Sequence, residues 1–269
     1  MSLLSHWTQV FLLMVCAATS LTILGHTPVF GINTRYSPRD TWGYQFKNLY
    51  LTRDDGCLDT IDLRNAIIYG LTNRLTVDFT IPYFIRYSPN NRSAGISDVV
   101  FKANYVIHER LNEIKNAKLR TFLQDSIRFP TGHALAIPSL GTGTYRNRFG
   151  FTADYDTDQY EIYIASIYEF SLTTFKSFRP GDLFEITTTA GIKPSKHTSL
   201  ITVLDYFASL KNSKNGVSDL SSGGDTLYVG LEAYYLNESI KASGSFQVPA
   251  FCNKLKLGPR AGFFVTFYF

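Results

Sequence analysis

Three cysteines in 269 residues are too few to staple a disulfide-rich scaffold. Charge is also scarce. Asp, Glu, Lys and Arg make up 18% of the chain, against the usual quarter, and 45% is hydrophobic. That balance excludes a disordered chain and a coiled coil. A net charge of +4 over this length gives no reason to expect a nucleic-acid partner. The chain lacks runs of about 20 apolar residues, the length a spanning helix needs. A mean hydropathy of −0.04 likewise excludes a polytopic helical membrane protein. No His/Cys group stands at metal-ligand spacing, so neither metal nor cofactor is expected. What the chain does have is aromatic rings, 15% of its residues, with 21 Phe and 17 Tyr.

The first thirty residues contain no Asp, Glu, Lys or Arg. Their apolar run from Val10 to Leu24 is too short and too weakly flanked for a spanning helix. It reads as a secretory signal peptide over residues 1–25, with small-residue cleavage sites after Ser20 and after Gly25. Residues 26–40 then form a periplasmic N-terminal segment, ahead of a barrel over 41–269.

Beyond residue 40 the hydrophobic period is two. In Leu75–Tyr87, the odd positions Leu75, Val77, Phe79, Ile81, Tyr83, Ile85 and Tyr87 are all apolar or aromatic. The even positions include Thr76, Asp78, Thr80 and Arg86. Side chains of a strand alternate between faces, so this is a strand with one greasy side. It is longer than the usual 5–6 residues and suits a tilted membrane strand of about 9–11. The same alternation returns in Asp98–Ile107, Tyr145–Tyr155, Leu227–Tyr235, Ile240–Val248 and Ala261–Phe269. Two segments are noisier: Leu119–Phe129 places Asp125 on its apolar face, and Leu200–Leu210 is apolar on both faces.

Twelve strands are predicted, at about 41–52, 60–70, 75–87, 95–108, 118–129, 143–154, 160–172, 182–193, 197–211, 225–236, 239–249 and 257–269. Their connections alternate long (Thr131–Thr142, Thr173–Gly181, Asn212–Gly224) and short (Thr72–Arg74, Pro194–Lys196, Asn237–Glu238). The turn at Arg110–Ala117 breaks that rhythm. Short periplasmic turns, longer outer loops and aromatics at the ends of the apolar faces are features of outer-membrane barrels. Lipid cannot hydrogen-bond an open sheet edge, so the strands must close. The sequence therefore predicts an all-β protein, a twelve-stranded antiparallel transmembrane β-barrel in the bacterial outer membrane, in contact with its lipid. The terminal Phe269 resembles the C-terminal signal of such barrels, which implies a Gram-negative source and recognition by the barrel-assembly machinery.

Tyr69-Gly70-Leu71-Thr72-Asn73-Arg74-Leu75, Ile81-Pro82-Tyr83, Gly95-Ile96-Ser97-Asp98, Lys102, Arg128–Gly132 and Leu140–Tyr145 together resemble the "MetA-pathway of phenol degradation" family of outer-membrane transporters. Ser97 stands where that family more often has Gly. The resemblance runs from about residue 60 to the C-terminus. It implies a barrel and the movement of small, hydrophobic or aromatic compounds.

The polar face predicts a lumen lined by Asp62, Arg64, Asp78, Arg86, Asp98, Lys102, Arg120, Arg128, Arg146, Arg148, Glu161, Glu169, Glu185, Glu232, Lys241 and Arg260. Cations concentrate on the fourth to sixth strands and carboxylates on the seventh to tenth, so a transverse field is expected. The plain alternative is that these ions pair and plug the barrel. The leading functional expectation is a channel for facilitated diffusion of a small solute, not an enzyme. Two alternatives are kept: an outer-membrane hydrolase acting on lipid, and a structural or adhesive barrel whose loops bind. The first has no Gly-x-Ser-x-Gly elbow, and His108, His133 and His197 all fall at strand ends or in loops. Cys57 and Cys252 are placed in loops at one rim, beside the seam where the last strand meets the first. In an oxidising compartment they are expected to bridge, with two free thiols as the alternative.

Overall fold

The protein is described by a computed structural model covering residues 39–269 except 53–58, 113–115, 221, 238 and 255–256. The signal peptide, most of the 26–40 segment and Cys57 lie outside the described residues. Sixteen strands are present among the described residues: β1 (Trp42–Leu51), β2 (Asp59–Gly70), β3 (Leu75–Ser88), β4 (Asn91–Ile96), β5 (Val99–Asn112), β6 (Ala117–Phe129), β7 (Arg146–Asp156), β8 (Tyr160–Ser171), β9 (Phe178–Arg179), β10 (Leu183–Ser195), β11 (Thr198–Ser209), β12 (Ser213–Lys214), β13 (Val217–Ser218), β14 (Gly224–Leu236), β15 (Ile240–Asn253) and β16 (Arg260–Tyr268). Twelve of them form a closed antiparallel ring, in which β1 pairs with both β2 and β16. Closure is completed by Trp42 and Phe269, each donating its N–H to the other's carbonyl at 3.0 Å. The short strands β9, β12 and β13 pair among themselves in the long loops.

Alternation does what the sequence demands. Along β3, Phe79 is exposed on the lipid side (43%) while its neighbour Thr80 is buried in the interior (7%). The outward rings gather into pairs at both rims. Trp42–Tyr69 and Tyr155–Tyr160 lie at the short-turn rim, and Phe129–Tyr145 and Tyr168–Phe170 at the long-loop rim. By the asymmetry of outer-membrane barrels, these rims are the periplasmic and outer ones. The periplasmic turns are fixed by single polar side chains. Thr72 Oγ1 accepts from the N–H groups of Arg74 and Leu75, Thr157 Oγ1 from Gln159 and Tyr160, and Asn237 Oδ1 from Ser239 and Ile240. These are side-chain mimics of a backbone turn, and they explain why Thr72 follows Tyr69-Gly70-Leu71.

Four sequence expectations need correction. The stretch Arg110–Ala117, expected as a long turn, is partly strand, because β5 continues to Asn112 past a bulge between Val106 and His108 and β6 begins at Ala117. The single strand expected over 95–108 is two, β4 and β5, interrupted at Ser97–Asp98. Its cause lies across the sheet. Pro82 has no N–H to give the neighbouring strand, and only its carbonyl is used, by Ser97 N–H at 2.9 Å. β11 is not apolar on both faces, since Asp205 points inward and is 1% exposed. Finally, Cys252 is an exposed free thiol, 3.7 Å from the Leu257 carbonyl; its expected partner Cys57 is outside the described residues.

Asp125 keeps the unusual place the alternation gives it. It is exposed on the lipid face and accepts a hydrogen bond from Asn147 Nδ2 at 2.9 Å. Asn65 also faces outward and takes the hydroxyl of Tyr44 at 2.5 Å.

Candidate functional site

The interior divides into two halves. The periplasmic half is filled by side chains. Tyr163, Ile201, Val203, Phe264 and Ile68 are buried there with the charged groups. At its centre Arg120, 0% exposed, grips Asp154 with both arms of its guanidinium, Nε to Oδ1 at 3.0 Å and Nη2 to Oδ2 at 2.5 Å. The two residues are directly opposed across β6 and β7, so register alone delivers this pair. Lys241 lies over the rings of Tyr234 and Phe264 at 5.3 and 5.7 Å. Glu232 accepts from Ser243, and Lys193 pairs with Asp156. Sequence reasoning predicted a polar lumen here and missed how much of it is apolar.

The outer half holds a cavity of about 260 Å³. Nine of the expected lumen residues line it: Arg64, Asp78, Arg86, Asp98, Lys102, Arg128, Arg146, Arg148 and Glu169. Asp62 and Glu185 stand just behind, bound to Arg64 and Arg148. The remaining five, Arg120, Glu161, Glu232, Lys241 and Arg260, face the interior elsewhere. Glu169 is the hub. It meets Arg146 Nε at 3.0 Å, and Arg128 and Arg148 at 3.6 Å each. The expected transverse field is therefore short-circuited in part: cations of β6 and β7 touch carboxylates of the adjacent β8 and β10 instead of facing them across a void. Lys102 similarly bonds Asp78 at 2.9 Å.

The β6–β7 loop folds inward over this cavity, with Leu140, Gly141 and Thr142 forming part of its lining. One carboxylate holds it there. Asp98, freed from the sheet at the β4/β5 break, accepts Gly132 N–H at 3.1 Å on Oδ1. Its Oδ2 takes Thr142 N–H at 2.8 Å and the Thr142 hydroxyl at 2.7 Å. Arg86 adds a bond to the Ser139 carbonyl. The loop's glycines permit the close approach: a Cβ on Gly141 would stand 2.3 Å from Asp98 Oδ1 and 2.8 Å from Gly132 Cα. The segments Gly95–Asp98, Arg128–Gly132 and Leu140–Tyr145, far apart in sequence, thus converge on a single latch.

Comparison with known proteins follows from this architecture. The chain superposes on the COG4313 outer membrane channel from Pseudomonas putida F1 with a TM-score of 0.72 at 16% identity, covering 87% of this chain and 97% of that one. The fold is a bacterial outer-membrane β-barrel. The NanC porin is a more distant match, at TM-score 0.52 and 10% identity over 83% of this chain and 98% of that one. No family profile and no curated protein matches the sequence.

Three further interior groups were not among the expected site residues. Asp205 binds Arg260 and the Thr187 hydroxyl, the latter at 2.9 Å. Asp154 partners Arg120, and Lys47 lines the cavity. Asp154 shares the polar face of its strand and was legible by parity. A lone inward Arg260 on the last strand was the available signal for Asp205. The three histidines among the described residues are not gathered into a site: His108 and His197 lie at the periplasmic end, and His133 lies in the outer loop. His197 Nδ1 is 2.9 Å from the Leu236 carbonyl.

Proposed function

We propose that this barrel is an outer-membrane channel that passes small hydrophobic or aromatic solutes by facilitated diffusion. The observation that carries the reading is the outer cavity, walled by ionised side chains and roofed by a latched loop. Cavities so lined and so narrow select by size and by electrostatic fit rather than pass bulk solvent. Phe84, Pro82, Val100 and Leu140 give the same cavity an apolar side, which suits a solute with a greasy body. The packed periplasmic half sets the rate, because its side chains must move for a solute to cross. The expected current is therefore small and intermittent. Single-channel recording of the refolded barrel in planar bilayers, with aromatic solutes added as blockers, tests this. A verified folded barrel that gives no current would overturn it.

A further inference from the structure

We infer that the outer cavity is a binding site for a small aromatic acid, held as its monoanion. The inference rests on the channel reading and specifies what the channel recognises. Charge comes first. Five guanidinium groups, on Arg64, Arg86, Arg128, Arg146 and Arg148, face the cavity. The carboxylates they meet are Asp62, Glu169 and Glu185. Of the other acids on the lining, Asp78 is paired with Lys102 at 2.9 Å and Asp98 has both oxygens committed to the β6–β7 loop. The balance is positive by a small margin. A slight surplus suits a single negative charge and repels a cation.

Hydrogen bonding points the same way. A carboxylate offers about four acceptor sites, and each guanidinium brings five donors. Glu169 alone therefore cannot satisfy Arg128, Arg146 and Arg148. Arg128 keeps only a 3.6 Å ion contact with it, and its side chain is 32% accessible from the cavity. An incoming carboxylate supplies acceptors in the planar geometry that guanidinium groups bind in two-pronged fashion. The rest of the ligand follows from the apolar part of the lining. Phe84, already stacked under Arg86 at 4.6 Å, and Leu140 offer an apolar slot, and 260 Å³ admits one ring rather than an oligomer.

The test is calorimetric titration of the full-length refolded barrel with four probes at neutral pH: benzoate, benzyl alcohol, benzylammonium and acetate. Benzoate is expected to bind at least about tenfold more tightly than each of the others. Arg128→Gln, checked for folding by its heat-modifiable gel migration, is expected to remove about tenfold of benzoate affinity and to leave benzyl alcohol unchanged. Arg128→Lys should recover part of the loss. Benzoate binding no tighter than benzyl alcohol would overturn the site, as would acetate binding as tightly as benzoate. The ranking of probes on the unaltered barrel holds whether or not a variant folds. A barrel that binds benzoate but carries no current overturns the channel and leaves the site; one that conducts but ranks the probes alike overturns the site alone.

Discussion

Removing the Asp98 carboxylate should release the inward loop. Three donors converge on it: Gly132 N–H, Thr142 N–H and the Thr142 hydroxyl. Hydrogen bonds to a charged acceptor contribute about 1.5–3 kcal/mol each. The three share one group and do not add in full; about 4 kcal/mol for the set is a conservative figure, or roughly a thousandfold in the ratio of latched to released loop. Asp98→Ala is expected to show a larger single-channel conductance and rapid cleavage by proteinase K between residues 131 and 143. Asp98→Asn should fall between, because its one carbonyl oxygen can serve Thr142 while its amide faces another donor at Gly132. Gly141→Ala approaches the same end from the other side, since its Cβ would meet Asp98 Oδ1 at 2.3 Å. If Asp98→Ala and Gly141→Ala both kept the parent conductance and protease resistance, the latch would be refuted.

Other outcomes follow from the same geometry. Phe79→Arg should destabilise the barrel by about 2–4 kcal/mol in urea unfolding from liposomes, and Thr80→Arg by less, because it enters the lumen; equal losses would contradict the register. Asp154→Ala strands the fully buried Arg120 and should cost about 3–5 kcal/mol. The double change Arg120→Ser/Asp154→Ser, measured in planar bilayers, should instead widen the periplasmic half and raise conductance. Replacing the outward pair by Asp125→Leu/Asn147→Leu should stabilise the barrel by about 1–2 kcal/mol in the same unfolding assay.

Strand number and facing were legible because lipid leaves so little choice. Each outward position must be greasy, so the period of two survives almost every residue from Leu75 to Tyr87, and loop length then gives the rims. Legibility failed where a neighbouring strand decides. The break at Ser97–Asp98 is written in Pro82, fifteen residues before Ser97, and shows only once β3 and β4 are paired. The long turn at Arg110–Ala117 looked exceptional because a bulge after Val106 resets the parity that defines a strand. Inward charges could be named one by one, but not matched. Arg120 with Asp154 is a register partner, whereas Arg260 with Asp205 joins β16 to β11, which do not touch in the sheet order.

Matching matters because it separates the two halves of the lumen by what their charges do. In the periplasmic half the Arg120–Asp154 pair is bidentate and buried beside the Phe122 ring. A buried pair is poor evidence for stability in itself, since similar-sized apolar residues often do as well. Filling this interior with ions rather than leucines therefore argues for something other than stability. Ionised groups can rehydrate when their neighbours part, and an apolar plug cannot. In the outer half the ions are matched loosely, with Glu169 divided among three arginines. The looser half is the one with space for a ligand, and the tighter half is the one a solute must open. A charged solute leaving the outer site would meet Arg120 next, a cation whose present partner it could replace. Such an exchange takes Asp154 off its cation, so it proceeds only as that carboxylate rehydrates when the neighbouring side chains part.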